Sequence, residues 1–343
     1  MTVLADRVDG VIGVDTHRDT LTAAAVTAVG GLLGQLVVAA DAAGYQRLLD
    51  FARARVPGRR CFAVEGAGSY GAGLTRLLVE RGEWVVEVDR PKRPARRGGK
   101  SDALDAVRAA REALAQERLA APRRRGDREA LRVLLATRQG AVTARTGAIN
   151  QLKALIVGAP EQLRAELRRY STSGQVGYCA GLRDRPTRSL EHRMTVSGLR
   201  STALRVQFLT AEASQLEGEI GRLVGAVAPW LLALPAIGPG SAAQVLVSWS
   251  HAGRLRSEAA FAALAGVAPI PASSGQVTRH RLNRGGDRQL NRAAYRGPGA
   301  AARRPNHACL RGPPPGRWQE PTRDPTVRET SHRPAPVQAP ATL

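Results

Sequence analysis

A mixed α/β domain leading into a long helical region, and then a smaller, mainly α-helical part, is the fold class this sequence predicts. Three observations predict it: apolar runs near the N-terminus that end in acidic residues, apolar residues recurring every seven positions in the middle, and a Pro-Gly turn opening a third apolar stretch. At 343 residues the chain is long enough for at least two separate cores.

Residues 11–15, 21–29 and 32–39 read as an antiparallel meander with short turns. Residues 41–55 carry a helix pattern in Ala42, Tyr45, Leu48, Leu49 and Ala52, followed by a strand that ends in Glu65. Residues 70–81 are helical, with Leu74, Leu77 and Leu78 on one side, and residues 84–88 form another strand. A meander followed by helix, strand, helix and strand is the order of an RNase H-like domain. In that fold the acid ending the first strand faces the acid ending the fourth. Residues 21–40 have the length of a membrane span, but Gly30-Gly31 breaks the run and Asp19 and Asp41 flank it, so two strands account for it better.

From about 127 to 228 the pattern is helical. Leu135, Val142, Ile149 and Ile156 recur every seven residues, and Val206, Leu209, Ala213, Leu216, Ile220, Leu223 and Val227 alternate in steps of three and four. Such seams suit a helical hairpin or a coiled coil between two copies; the intermolecular role is the expectation. Residues 171–188, with Gly174, Gly177, Gly181 and Pro186, read as a loop. The stretch from Leu234 to Ala243 has the shape of a helix-hairpin-helix turn, in which glycines let backbone N–H groups approach a phosphate. After Tyr295 apolar periodicity disappears, about half of the 21 prolines occur, and disorder is predicted. The predicted divisions are 1–115 (catalytic α/β), 116–228 (helical, coiled coil), 229–295 (C-terminal helical) and 296–343 (tail).

Lys and Arg number 51 against 29 Asp and Glu, a formal net charge of +22, which predicts a polyanionic partner. The Arg residues are spread along the whole chain and not gathered on one amphipathic helix, so nucleic acid fits and a membrane surface does not. Cys61, Cys179 and Cys309 make no short metal-ligand or redox spacing, and the start shows no secretory signal, which predicts a cytoplasmic protein with reduced thiols. The six His are scattered, which argues against zinc.

Against this basic background four acids stand out. Asp15 and Glu65 each end an apolar run, and Asp102 and Asp105 lie three apart where Ser101 would cap a helix and give both carboxylates one face of its first turn. Any one of them alone reads as a turn or cap residue. Converging from two strand ends and a helix start, they could supply the hard oxygen ligands that paired Mg²⁺ ions need in phosphoryl transfer. The basic run from Lys92 to Lys100 suits a mobile loop on a nucleic-acid backbone, or simply a solvated surface. Ser273 and Ser274 precede Gly275 in a polar loop that on spacing alone is an ordinary turn.

Gly13-Val14-Asp15-Thr16-His17, the segment from Val64 to Tyr70 and that from Lys100 to Ala106 resemble the three acidic motifs of the insertion-sequence-110 family of transposases. In the same order, residues 234–243 and 261–269 resemble that family's C-terminal domain, so the likeness spans about residues 10–295. It implies a RuvC-like domain with the tetrad Asp15, Glu65, Asp102 and Asp105 binding Mg²⁺, a coiled coil, and a serine-bearing domain. It also implies an RNA-guided DNA recombinase acting as a dimer or tetramer on DNA in the bacterial cytosol, at the nucleoid. Carried over by position, Ser274 is the nucleophile, five residues after Pro269 and directly before Gly275, with Ser273 as the fallback.

Two other readings use the same residues differently. A RuvC-like junction nuclease would need the acids and no serine; a binding remnant of the element would keep the charge and lose metal-dependent activity. A sugar-kinase or actin-like ATPase would need a second Gly-rich phosphate loop, which the sequence lacks. Family members continue past residue 295 into further amphipathic helices, whereas this chain turns to Gly-Pro-Arg-rich sequence, as a shifted reading frame would give. Such a tail is expected to be trimmed by protease to a core ending near residue 295.

Overall fold

The computed structural model describes residues 3–88, 102–117, 119–275 and 277–296. Five strands form one sheet in the order β3-β2-β1-β4-β5, built from β1 (Gly10–Thr16), β2 (Thr20–Thr27), β3 (Leu32–Ala39), β4 (Arg60–Glu65) and β5 (Trp84–Val88). The first three strands are an antiparallel meander, and β1, β4 and β5 run parallel. This is the mixed sheet expected of an RNase H-like domain.

Alternation along the strands sends side chains to two separate cores. Ile12, Val14, Phe62 and Val64 pack with Leu48 and Leu49 of α1 (Ala42–Arg55) and with Leu74 and Leu78 of α2 (Ala72–Glu80). Val11, Cys61 and Ala63 face the other way, onto Ala106, Ala109, Ala110 and Ala113 of α3 (Asp102–Ala115). Burial on both faces explains why β1 and β4 read as continuous apolar runs and not as alternating ones. Asp41 caps α1, its carboxylate accepting from the Gly44 N–H at 2.7 Å. The second helix starts two residues later than its sequence pattern, because the N–H groups of Ser69 and Gly71 both donate to the Gly66 carbonyl and hold residues 66–71 in a turn.

The long helices α4 (Asp127–Val157) and α7 (Leu190–Val227) pair with each other, antiparallel, within the chain. Arg138 donates to Glu217 at 2.8 Å near one end, and Arg205 to Gln151 at 3.5 Å towards the other. The apolar seams expected to join two copies are therefore used in a hairpin. Its buried line on α4 includes Leu131, Ala141, Ala148, Leu152 and Ile156, whereas Leu135, Val142 and Ile149 are only partly buried. Alanines at the contact let the two helices approach closely.

A second correction concerns residues 171–188. Between the long helices lie α5 (Glu161–Leu167) and α6 (Thr172–Ala180), so a helix occupies half of the stretch expected to be a loop. The Ser171 hydroxyl caps α6, accepting from the Gly174 N–H at 3.3 Å, and Val176 and Cys179 pack into the core formed with Leu199 and Ala203. Tertiary packing overrides the low helix propensity of Gly174 and Gly177.

Beyond the hairpin, α8 (Pro229–Leu232) and α9 (Pro239–Trp249) pack Leu231, Ala242, Ala243 and Leu246 against Leu131, Ile220 and Val224. They are followed by α10 (Glu258–Leu264), a two-stranded hairpin of β6 (Ile270–Pro271) and β7 (His280–Arg281), and α11 (Arg288–Arg296). No helix among the described residues is long and apolar enough to cross a membrane. The basic run 92–100, the Ser101 cap, Cys309 and the tail 297–343 lie outside the described residues.

Candidate functional site

Asp15 is two and four residues from Gly13 and Val11, so strand alternation turns it to the α3 face of the sheet. Glu65 relates in the same way to Ala63 and Cys61, and the parallel register Val14 to Val64 sets the two acids side by side at the strand ends. The third and fourth acids arrive on the first turn of α3. Gly13 makes that approach possible: a β-carbon there would collide with the Ala106 carbonyl oxygen and sit 2.7 Å from the Ala110 nitrogen. Gly13→Ala is thus expected to cost about 2–3 kcal/mol by overpacking and to push the α3 acids away from Asp15. Urea denaturation with and without a divalent cation would test this, and a variant with wild-type midpoints in both conditions would disprove the role given to Gly13.

At the centre His17 Nε2 lies 3.3 Å from Asp15 Oδ2 and 3.4 Å from Asp102 Oδ2. One ligand atom from each of these three residues falls within 4.8 Å of the others, a spacing that suits a shared metal ion. The Asp15 side chain is almost wholly buried whereas that of Asp102 is 47% exposed, so Asp15 forms the floor and Asp102 the rim. Asp105 accepts from Arg108 Nη1 at 3.0 Å, and the Thr16 hydroxyl donates to the Glu65 carbonyl at 2.9 Å. Glu65 and Asp105 stand outside the trio but close enough to act on Asp15 through space.

Burial raises the pKa of Asp15 above the ordinary carboxylate value; His17 opposes that, and the charges of Glu65, Asp102 and Asp105 add to the rise. Four acids and an imidazole that crowd one another in this way fit a cation, which would relieve the repulsion. The folded protein binds the Asp15 proton more tightly than the unfolded chain does. Without metal, stability therefore falls as pH rises from the unfolded pKa through the raised folded one. A bound cation needs the ionised form, so thermal stabilisation by Mg²⁺ or Mn²⁺ is expected to be largest near neutral pH and to vanish in acid. Metal-induced shifts in melting temperature that do not change with pH would contradict the assignment.

His17 lies in the first acidic motif, and the motif alone assigns it no role. The signal was available, since residue 17 has the same strand parity as Asp15. The buried thiols play no part: burial pushes Cys61 up to about 12 and Cys179 up to about 11.

Ser273 and Ser274 lie on the tip of the β6–β7 hairpin, in a different part of the chain from the four acids. The Ser274 and Val277 N–H groups each donate to the other's carbonyl at 3.2 Å, and Gly275, at φ +59°, takes the left-handed conformation that the turn requires. Ser273 Oγ accepts from the Arg279 N–H at 3.2 Å, which commits it to holding the hairpin. Ser274 is exposed, and its hydroxyl has no hydrogen bond among the described residues. Asp287 anchors the hairpin's base, accepting from Ser248 Oγ at 2.6 Å on α9 and donating its N–H to the Leu264 carbonyl at 2.7 Å on α10. The turn between α8 and α9 contains Ala236 at φ +62°, and no side chain caps α9.

Comparison with known families gives two matches. A model of DEDD transposases of the IS110 type matches residues 12–159, and a model described as the transposase IS116/IS110/IS902 family matches residues 228–311. The second extends beyond residue 295, where the sequence likeness was expected to end. No curated protein sequence matches the chain.

Proposed function

Because the chain belongs to the IS110 family of transposases, we propose that it cuts and rejoins DNA with a serine nucleophile, Ser274, and a Mg²⁺ centre held by Asp15, Glu65, Asp102 and Asp105. The observation that carries the reading is the convergence of Asp15, His17 and Asp102 within ligand distance, with the other two acids adding their charge. Transposase function, DNA recombination and action on DNA follow from the family itself.

A bound divalent cation supplies Lewis-acid stabilisation of charge on phosphate oxygens. The chain's own residues do the rest. Asp15 and Asp102 orient the ligand atoms from floor and rim, and the His17 imidazole lies between their carboxylates. Ser274 offers an exposed oxygen unclaimed by the hairpin, while Ser273 keeps the turn in shape. In the proposed step the bond from Ser274 Oγ to phosphorus forms as the bond from phosphorus to one sugar oxygen breaks. The serine proton ends on the departing oxygen. A serine hydroxyl is a weak nucleophile at neutral pH, so the hairpin and the acidic centre must meet, in one protomer or across two.

The resemblance extends the proposal to a guide RNA and to a dimer or tetramer. Leu204 and Phe208, exposed on α7, support an assembly surface. Incubating the full chain with element-end DNA, with and without RNA and with and without Mg²⁺, and resolving the products on denaturing gels tests the reading. A covalent protein–DNA product that needs the cation is the expected result; cleavage with no such product would favour the junction-nuclease chemistry.

A further inference from the structure

Positive charge concentrates where residues 120–132 pass between the sheet and the helices. Glu87 of β5 is shared by Arg123, at 3.5 Å, and Arg254, at 3.7 Å. Glu129 is shared by Arg128, at 3.0 Å, and Arg132, at 2.7 Å. Arg124 and Arg125 add two charges that form no salt bridge among the described residues, Arg125 acting on Glu129 through space. The crowding is felt inside the cluster: burial, and after it the charge of Arg123, bring Arg128 down to about 10 although Glu129 opposes them. Burial, Arg124, Arg254 and Arg128 lower His251 in the same way.

The position of this charge matters as much as its amount. Arg123 lies over the turn that follows Glu65, its Nη1 3.7 Å from where a β-carbon of Gly68 would be. Arg125 Nη1 donates to the Ala72 carbonyl at the other end of that turn, at 3.4 Å. Glu87 pairs in register with Val64 and shares its α1–α2 face of the sheet, opposite Glu65, so the cations approach the acidic centre across the turn that begins at Glu65. A polyanion crossing the turn would meet guanidiniums over its middle and at its far end, with the carboxylate centre at its start.

We propose that Arg123, Arg124 and Arg125 hold the phosphates of the DNA strand that runs over residues 66–71 into the acidic centre. This rests on the reading that the centre acts on DNA. An acidic protein partner would gain from the same charges, but nothing in its chemistry would call for them beside a phosphoryl-transfer site.

The test is the salt dependence of duplex DNA binding by the full chain, read by fluorescence anisotropy. The Arg123→Gln/Arg125→Gln double variant should lower the slope of log K against log salt by about 1.8, at about 0.9 per phosphate contact. Arg124→Gln alone, a change at an exposed residue, should lower it by about 0.9. Arg123→Lys should keep the wild-type slope, and so should Arg169→Gln, a distant exposed control. Metal-induced thermal stabilisation should be unchanged in every variant, which reports on both folding and the acidic centre. Unchanged slopes in folded variants would overturn the proposal, as would a loss confined to an RNA oligonucleotide. Should cleavage not depend on the acidic centre, Asp102→Ala would cleave as the wild type does while these slopes still read the arginine track.

Discussion

Asp102→Ala is expected to abolish DNA strand cleavage while leaving DNA binding nearly intact. The residue sits on the first turn of α3 with its carboxylate 3.4 Å from His17 Nε2, at the exposed rim of the centre. Its side chain buries little surface, so the fold does not depend on it. Deleting it also removes one of the charges that crowd Asp15, and the metal-free protein should be no less stable than wild type. Loss of one preorganised electrostatic partner typically costs a hundredfold to a thousandfold in rate, about 3–4 kcal/mol, and loss of a metal ligand should reach or exceed that. DNA affinity comes mostly from Lys and Arg on phosphates and should hold. Cleavage assays beside anisotropy and melting curves separate these effects. Wild-type cleavage by a folded variant would end the assignment of these acids.

Asp15 and Glu65 were legible in the sequence because each closes an apolar run, and a carboxylate in that position adds nothing to a strand's packing. The meander, the parallel strands and the helices α1 and α2 were legible for a related reason, since apolar spacing changes from a run to a helical period wherever the chain changes element. What stayed hidden depended on contacts far apart in sequence. The seam of α4 and α7 fits a partner helix from any source, and only Ala141 and Ala148, small residues at the contact, mark how closely it is met within the chain. α6 is concealed by its glycines and stabilised by Val176 and Cys179 against α7. His17 needed strand parity to be applied one step beyond the strand's acid, and the arginine cluster needed Glu87, Arg123 and Arg254 in one place.

Ser274→Ala is expected to remove any covalent protein–DNA product entirely, and Ser273→Ala to leave it in place. The two hydroxyls are adjacent in sequence but differ in what they already do. Ser273 Oγ accepts from the Arg279 N–H across the hairpin, and losing that bond should cost about 1 kcal/mol of local stability, slowing the reaction only modestly. Ser274 makes no such bond, so its removal should leave the hairpin standing, held by the paired backbone groups of Ser274 and Val277 and by the Asp287 anchor below. A change that spares the structure and abolishes the adduct is what a nucleophile predicts; a turn residue predicts a small loss of stability and continued reaction. Denaturing gels of each variant with element-end DNA, its RNA and Mg²⁺ decide between them. Adduct loss only in the Ser273 variant would transfer the role to that residue. Loss in neither would take serine chemistry away from this hairpin and leave the breaking of DNA to the acidic centre.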